Sequence, residues 1–174
     1  FLPFAIFPLK KGKSSGLIIP TPGESATLGF FLQEGGYYFA LNDHLDLKLV
    51  GDIYSRGSWR LNAASNYRKR YKYSGNFSLS YSETKFGTKF ESNFRKNRDF
   101  FVRWSHNQDA KAHPNNRFTA NVNLGTNTYH TNSTFTTDDF LSNSFNSNVS
   151  YTRSFPGKPF NLVINARHSQ STRT

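Results

Sequence analysis

The sequence predicts an all-β chain of antiparallel strands, and three observations carry that reading. Apolar and polar residues alternate with a period of two over much of the chain, no stretch keeps the 3.6-residue spacing of an amphipathic helix, and turn-rich intervals separate the alternating runs. In order, Leu45, Leu47 and Leu49 alternate with Asp46 and Lys48, and Trp59, Leu61 and Ala63 with Arg60 and Asn62. From Tyr71 to Ser82 the pattern is strict. Tyr71, Tyr73, Gly75, Phe77, Leu79 and Tyr81 form one face, and Ser74, Asn76, Ser78, Ser80 and Ser82 the other. Phe118, Ala120, Val122 and Leu124 follow against Thr119, Asn121 and Asn123, then Phe145, Val149 and Tyr151 against Asn146, Asn148 and Ser150. The last run sets Phe160, Leu162 and Ile164 against Asn161 and Asn165, with Val163 breaking the alternation.

The connections are of two kinds. Asn42-Asp43-His44, Arg68-Lys69-Arg70 and Phe155 to Pro159 are short, whereas Glu83 to Asp99 and Thr126 to Asp139 are long and polar. With antiparallel neighbours, every second connection falls on the same end. The long pair, with Pro22 to Ala26 and Ser55-Arg56-Gly57, then shares one end. The short ones and Gln108 to Asn116 share the other. Two environments accept such strands: a β-sandwich, whose apolar faces meet each other, and an outer-membrane barrel, whose apolar faces meet lipid around a wet lumen. The barrel accounts together for strands of about ten residues, the loop asymmetry and the aromatic-rich apolar face. At that strand length the chain holds about nine strands, an odd and unclosed set that leaves raw edges. The expectation is part of a larger barrel.

Composition agrees. Of 174 residues only 36% are hydrophobic, yet 17% are aromatic, which sets the chain apart from disordered sequences. The mean hydropathy of −0.65 suits strands that offer only alternate residues to lipid. There is no cysteine, so disulfides and thiolate chemistry are excluded. No run of about 18 apolar residues predicts a spanning helix, and Phe1 to Pro8 lacks the flanks of a signal peptide. The chain starts on Phe, which is expected of a piece of something longer. Catalytic and metal signals are weak. Gly12-Lys13-Ser14-Ser15-Gly16 fits G-x-S-x-G by letter, but Leu17-Ile18-Ile19-Pro20 cannot supply the helix that must follow a nucleophile elbow. His44, His106, His113, His130 and His168 are dispersed, and Asp138-Asp139 sits in a Ser/Thr/Asn loop. No enzyme activity, cofactor or metal is expected.

Several segments carry a family resemblance. They are Phe4-Ala5-Ile6-Phe7-Pro8, Lys10-Lys11-Gly12-Lys13-Ser14-Ser15-Gly16, Leu17-Ile18-Ile19-Pro20, Gly36 to Asp43, Leu45-Asp46-Leu47, Arg56-Gly57, Arg103 to His106, Arg117 to Val122 and Asn143 to Tyr151. In order and spacing these resemble the lipopolysaccharide-assembly outer-membrane protein family LptD (organic solvent tolerance family), in its Bacteroidota-like form. The resemblance implies a periplasmic β-jellyroll joined to a barrel of about twenty-six strands in the bacterial outer membrane. It further implies an LptE-like plug lipoprotein, periplasmic Lpt bridge jellyroll proteins as partners, and energy supplied at the inner membrane. Lipopolysaccharide would leave sideways between the first and last barrel strands. On that template residues 1–9 end the jellyroll, 10–15 form a hinge and 16–174 begin the barrel.

The same template makes Leu17, Ile18, Ile19, Pro20 and Pro22, with Gly35 and Gly36, one lip of a lateral gate. Proline brings no amide hydrogen to a neighbouring strand, and a first strand carrying two would pair weakly at the seam; strand termination is the simpler reading of the same residues. The family tends to carry a second proline where Gly36 stands here, and glycine also softens a strand. Lys10, Lys11 and Lys13 at the hinge are candidates for phosphate contact along the lipid route, or a solvated charge run. Lys48, Arg60 and Arg68 fall on the polar register as candidates for contact with lipid or plug, against an ordinary lumen wall. Arg68-Lys69-Arg70-Tyr71-Lys72 could attract anionic lipid or anchor the barrel. Two other functions remain open: a passive porin or other transport barrel, and a soluble basic β-protein that binds nucleic acid, suggested by the net charge of +11. Basic residues at both ends and aromatics that alternate with Ser and Asn argue against nucleic acid as a partner.

Overall fold

The computed structural model describes residues 13–87, 94–126 and 144–171. Ten strands form one antiparallel sheet: β1 (Gly16–Ile18), β2 (Thr21–Ser25), β3 (Gly29–Asn42), β4 (Leu45–Tyr54), β5 (Trp59–Lys69), β6 (Tyr73–Phe86), β7 (Arg95–Gln108), β8 (Asn116–Gly125), β9 (Ser144–Ser154) and β10 (Asn161–Ser171). From β3 onward each strand pairs with the next in sequence, and both β1 and β2 pair with β3. The sheet is all-β and unclosed among the described residues, with β1/β2 and β10 as its edges.

Several boundaries differ from expectation. Gly16 to Pro22, expected as one strand, is split between Ile18 and Thr21, and Pro22 to Ala26, expected as a connection, is mostly β2. The reason is register, because β1 and β2 keep one continuous phase against β3, from Gly16 opposite Tyr38 to Ser25 opposite Gly29. Counted as one interrupted strand, they restore the expected nine. The Glu83 to Asp99 connection shrinks, because β6 runs on to Phe86 opposite Arg95. Glu83 there binds Lys96 and Arg98, which zips the strand ends together. The turn expected at Arg68 to Arg70 lies two residues later, at Arg70 to Lys72, where Tyr71 takes a left-handed φ of 60°.

The alternation sorts side chains onto two faces. Rows on the apolar face run across strands, such as Leu49, Ala63, Leu79, Val102 and Leu124, or Gly51, Leu61, Tyr81 and Phe100. Nothing among the described residues covers them: Leu61, Phe77, Phe100 and Ile164 are all exposed. The described residues therefore form no two-sheet sandwich, and an uncovered apolar face of this extent belongs to a lipid or partner surface. Aromatic groups bound the face at two levels. At the short-turn end the Tyr67 ring lies across Gly75, where a Cβ would strike it. Its hydroxyl meets His106 Nδ1 at 2.8 Å and accepts from Trp104 Nε1 at 2.9 Å, and Tyr73 stacks beside His106. At the other end Trp59 packs on Tyr81. Tyr73 to Tyr81 is about 27 Å of strand, or about 21 Å of height at the usual barrel tilt, close to the ~25 Å apolar band of outer-membrane barrels. One pleat beyond Tyr81, Glu83 binds Lys85, Lys96 and Arg98, a charged rim outside the band.

Candidate functional site

The expected gate residues lie together at one edge of the sheet. Ile19 and Pro20 separate β1 from β2, and by the shared register they face Gly35 and Glu34 on β3. At that level β3 is itself irregular. Its pairing with β4 slips by one residue between Leu32 and Gly35, a β-bulge that places Gln33 and Glu34 opposite Asp52. Glu34 holds a left-handed φ of 57°, uncommon for a residue with a Cβ. The bulge reverses the side-chain parity of β3. Phe30 and Leu32 stand on the apolar face before it, and Tyr37, Phe39 and Leu41 after it. The first strand reverses in step, from Leu17 and Ile19 to Pro22 and Glu24. Two strands are thus interrupted side by side.

The bulge is anchored from β4. The Asp52 side chain has no solvent exposure, and its Oδ1 accepts the Glu34 amide at 2.7 Å while Oδ2 takes the Arg60 guanidinium at 2.5 Å. A buried carboxylate needs such a counter-charge, and removing one partner typically costs about 3–5 kcal/mol. Gln33 Nε2 adds a 2.8 Å bond to the Tyr54 hydroxyl. Glycines make the close packing possible. A Cβ on Gly36 would land on the Leu49 carbonyl, and one on Gly35 would come within 2.9 Å of the Pro20 ring. Leu17 and Ile19 are 76% and 80% exposed. Two apolar grooves flank the interruption. One, about 560 Å3, is lined by Leu17, Pro20, Tyr37 and Leu49; the other, about 640 Å3, by Pro22, Phe30, Leu32 and Ile53.

The basic candidates are not brought together here. Lys10 and Lys11 lie outside the described residues, as does the segment expected to end a jellyroll. Lys13 is committed: its Nζ donates to Asp46 Oδ2 at 2.6 Å, and that carboxylate holds the ammonium pKa above the usual lysine value. Ser15 Oγ accepts the Ala40 amide, so the chain leading into β1 is tied to both β3 and β4. Asp46 also accepts the Asn66 amide at 2.9 Å, where the β4–β5 pairing skips. Arg60 is spent on Asp52. Lys48 stands between Tyr38 and Ala64 on the polar face, and Arg68 is exposed at the short-turn end, far from the interruption. Sequence reasoning missed Glu34, Asp46 and Asp52. The available signal was the parity change between Phe30-x-Leu32 and Tyr37-x-Phe39-x-Leu41 across Gln33-Glu34-Gly35-Gly36.

A family profile described as LptD protein matches residues 1–174. No curated protein matches the chain.

Proposed function

The chain belongs to the LptD protein family, a transport and assembly family of the outer membrane that handles lipopolysaccharide, and we propose that β1, β2 and β3 form one lip of a lateral gate through which that lipid leaves. The observation that carries this reading is the alignment of two defects: the Ile19-Pro20 break in the edge strand and the Gln33-Glu34 bulge in its neighbour. In hydrocarbon an unpaired strand edge is costly, so a seam that opens must not be sealed by a full ladder. Pro20 and Pro22 offer no amide to a closing strand. The bulge lets β3 bend there without losing its backbone bonds, because Asp52 replaces the missing partner.

In this reading the apolar face meets lipid and the polar face lines a lumen. The two apolar grooves beside the interruption take acyl chains as the lipid passes, while its sugars stay on the polar side. Residues 1–9 end a periplasmic jellyroll that receives lipid from Lpt bridge proteins, 10–15 are the hinge, and an LptE-like lipoprotein plugs the lumen of the larger barrel begun by 16–174. No covalent chemistry is required of the chain. The test is a seam lock. Cysteines placed on Leu17 to Pro20 and on the closing strand of the full-length protein should halt lipopolysaccharide export when oxidised and release it when reduced. Undiminished export through a fully oxidised seam overturns the gate.

A further inference from the structure

The polar face ends, at the short-turn side of β5 to β8, in a concave basin of about 340 Å3. Arg68, Ser74, Asn107 and Arg117 reach it from four successive strands, all on the polar register, and Arg70 and Asp109 from the two turns. The turns are joined: the Asp109 amide donates to the Lys72 carbonyl at 2.9 Å, and Arg70 and Lys111 both lie over the Tyr71 ring, 5.0 and 5.4 Å from its centre. The single acid, Asp109, turns Oδ1 to the Lys111 amide at 2.9 Å.

Positive charge here is in excess. Among the described residues Arg68, Lys69, Arg70, Lys72, Lys111 and Arg117 form no ion pair, whereas at the opposite end Lys85, Lys96 and Arg98 all converge on Glu83. Four of these, Arg68, Lys69, Arg70 and Arg117, line one small hollow with Asp109 as its only acid, and like charges that close repel each other unless an anion sits among them. Arginine forks fit phosphate oxygens in two-point contact, and the hollow has the size of a small-ligand site. A docked protein segment would call for a broad surface with buried aromatic or aliphatic anchors. This basin is small and polar.

We propose that the basin holds the phosphate group of a lipid headgroup at the short-turn mouth of the sheet. The proposal rests on the membrane reading above but not on the gate. It is tested with full-length protein in neutral detergent, offered lipopolysaccharide, the same lipopolysaccharide stripped of phosphate, and phosphatidylglycerol. Replacing the two strand-borne arginines of the three (Arg68→Gln with Arg117→Gln) should weaken retention of the phosphorylated lipid about tenfold per arginine. The stripped lipid should be held weakly and equally by both forms. The Arg68→Lys, Arg117→Lys protein should keep part of the affinity. Preference for lipopolysaccharide assigns the site to the cargo and preference for phosphatidylglycerol to a resident membrane lipid, and both support a phosphate site. Equal retention by wild type and the Gln variant overturns it, as does loss only of an acidic protein partner. Export measured in cells carrying the Gln variant separates the two readings: seam-lock sensitivity persists there even if the basin binds nothing.

Discussion

The edge formed by β1 to β4 and the middle formed by β5 to β7 are built from the same alternation, yet they differ in how the ladder is kept. In the middle, pairing runs without a slip from Trp59–Glu83 to Lys69–Tyr73 and from Tyr73–Gln108 to Phe86–Arg95. At the edge, β3 slips twice against β4, and the first strand is cut at Ile19-Pro20. At the edge the Glu34 and Ala40 amides are met by the side chains of Asp52 and Ser15, and where the edge joins β5 the Asn66 amide is met by Asp46; in the middle the Lys85 amide, near the end of β6, is met by Ser58. The difference teaches where a membrane sheet can yield. A ladder replaced locally by buried carboxylates stays satisfied, as hydrocarbon demands, while losing the cooperativity of an unbroken run.

The largest way to break this contrast is to remove the anchor. Asp52→Ala removes the buried carboxylate that Arg60 binds and leaves the Glu34 amide unmet, and should cost about 3–5 kcal/mol, read as a lower urea midpoint of the folded barrel. Placing a defect in the middle comes next. Ser78→Pro deletes an amide from the continuous β5–β7 ladder and should cost about 1–3 kcal/mol through the carbonyl left unmet, whereas Glu24→Pro at the edge, on the same outward amide phase as Pro22, should cost markedly less, by the same measurement. Repairing the edge should have a smaller effect of opposite sign. Pro20→Val restores a donor and a β-branched side chain, worth about 0.5–1.5 kcal/mol, and should tighten the seam and slow lipopolysaccharide export in cells; unchanged export would leave Pro20 as a strand terminator. Smallest is Glu83→Gln at the charged rim: Glu83 itself is buried, but Lys96 and Arg98 reach it from solvent, which puts each pair at the low end of about 0.2–1 kcal/mol, and the shift should shrink further in high salt.

The middle of the sheet was legible because one residue decides one face. Strict alternation through Tyr73, Gly75, Phe77, Leu79 and Tyr81 leaves a single register with the apolar set together. The edge was legible only in its residue types. Pro20, Pro22, Gly35 and Gly36 announce softness, but Pro22 to Ser25 looked like a loop because proline and glycine resemble a turn, and only the phase shared with Gly29 to Gln33 makes them a strand. The anchors were hidden for a different reason. Asp52 finds Glu34 eighteen residues away and Asp46 finds Lys13 thirty-three away, pairings set by strand register after a bulge that alternation alone does not count. The basic run at Arg68 to Lys72 was visible, but its meeting with Lys111 and Arg117 depends on two turns folding onto each other.

The central claim is that yielding is confined to the first strands. Amide hydrogen exchange on the full-length protein, reconstituted in bilayers and resolved to short peptides, tests it most directly. Peptides covering Gly16 to Ser25 and Gln33 to Gly36 should exchange at least tenfold faster than those covering Gly75 to Tyr81 and Phe100 to Ser105. Uniform protection across both regions, or faster exchange in the middle, would contradict it.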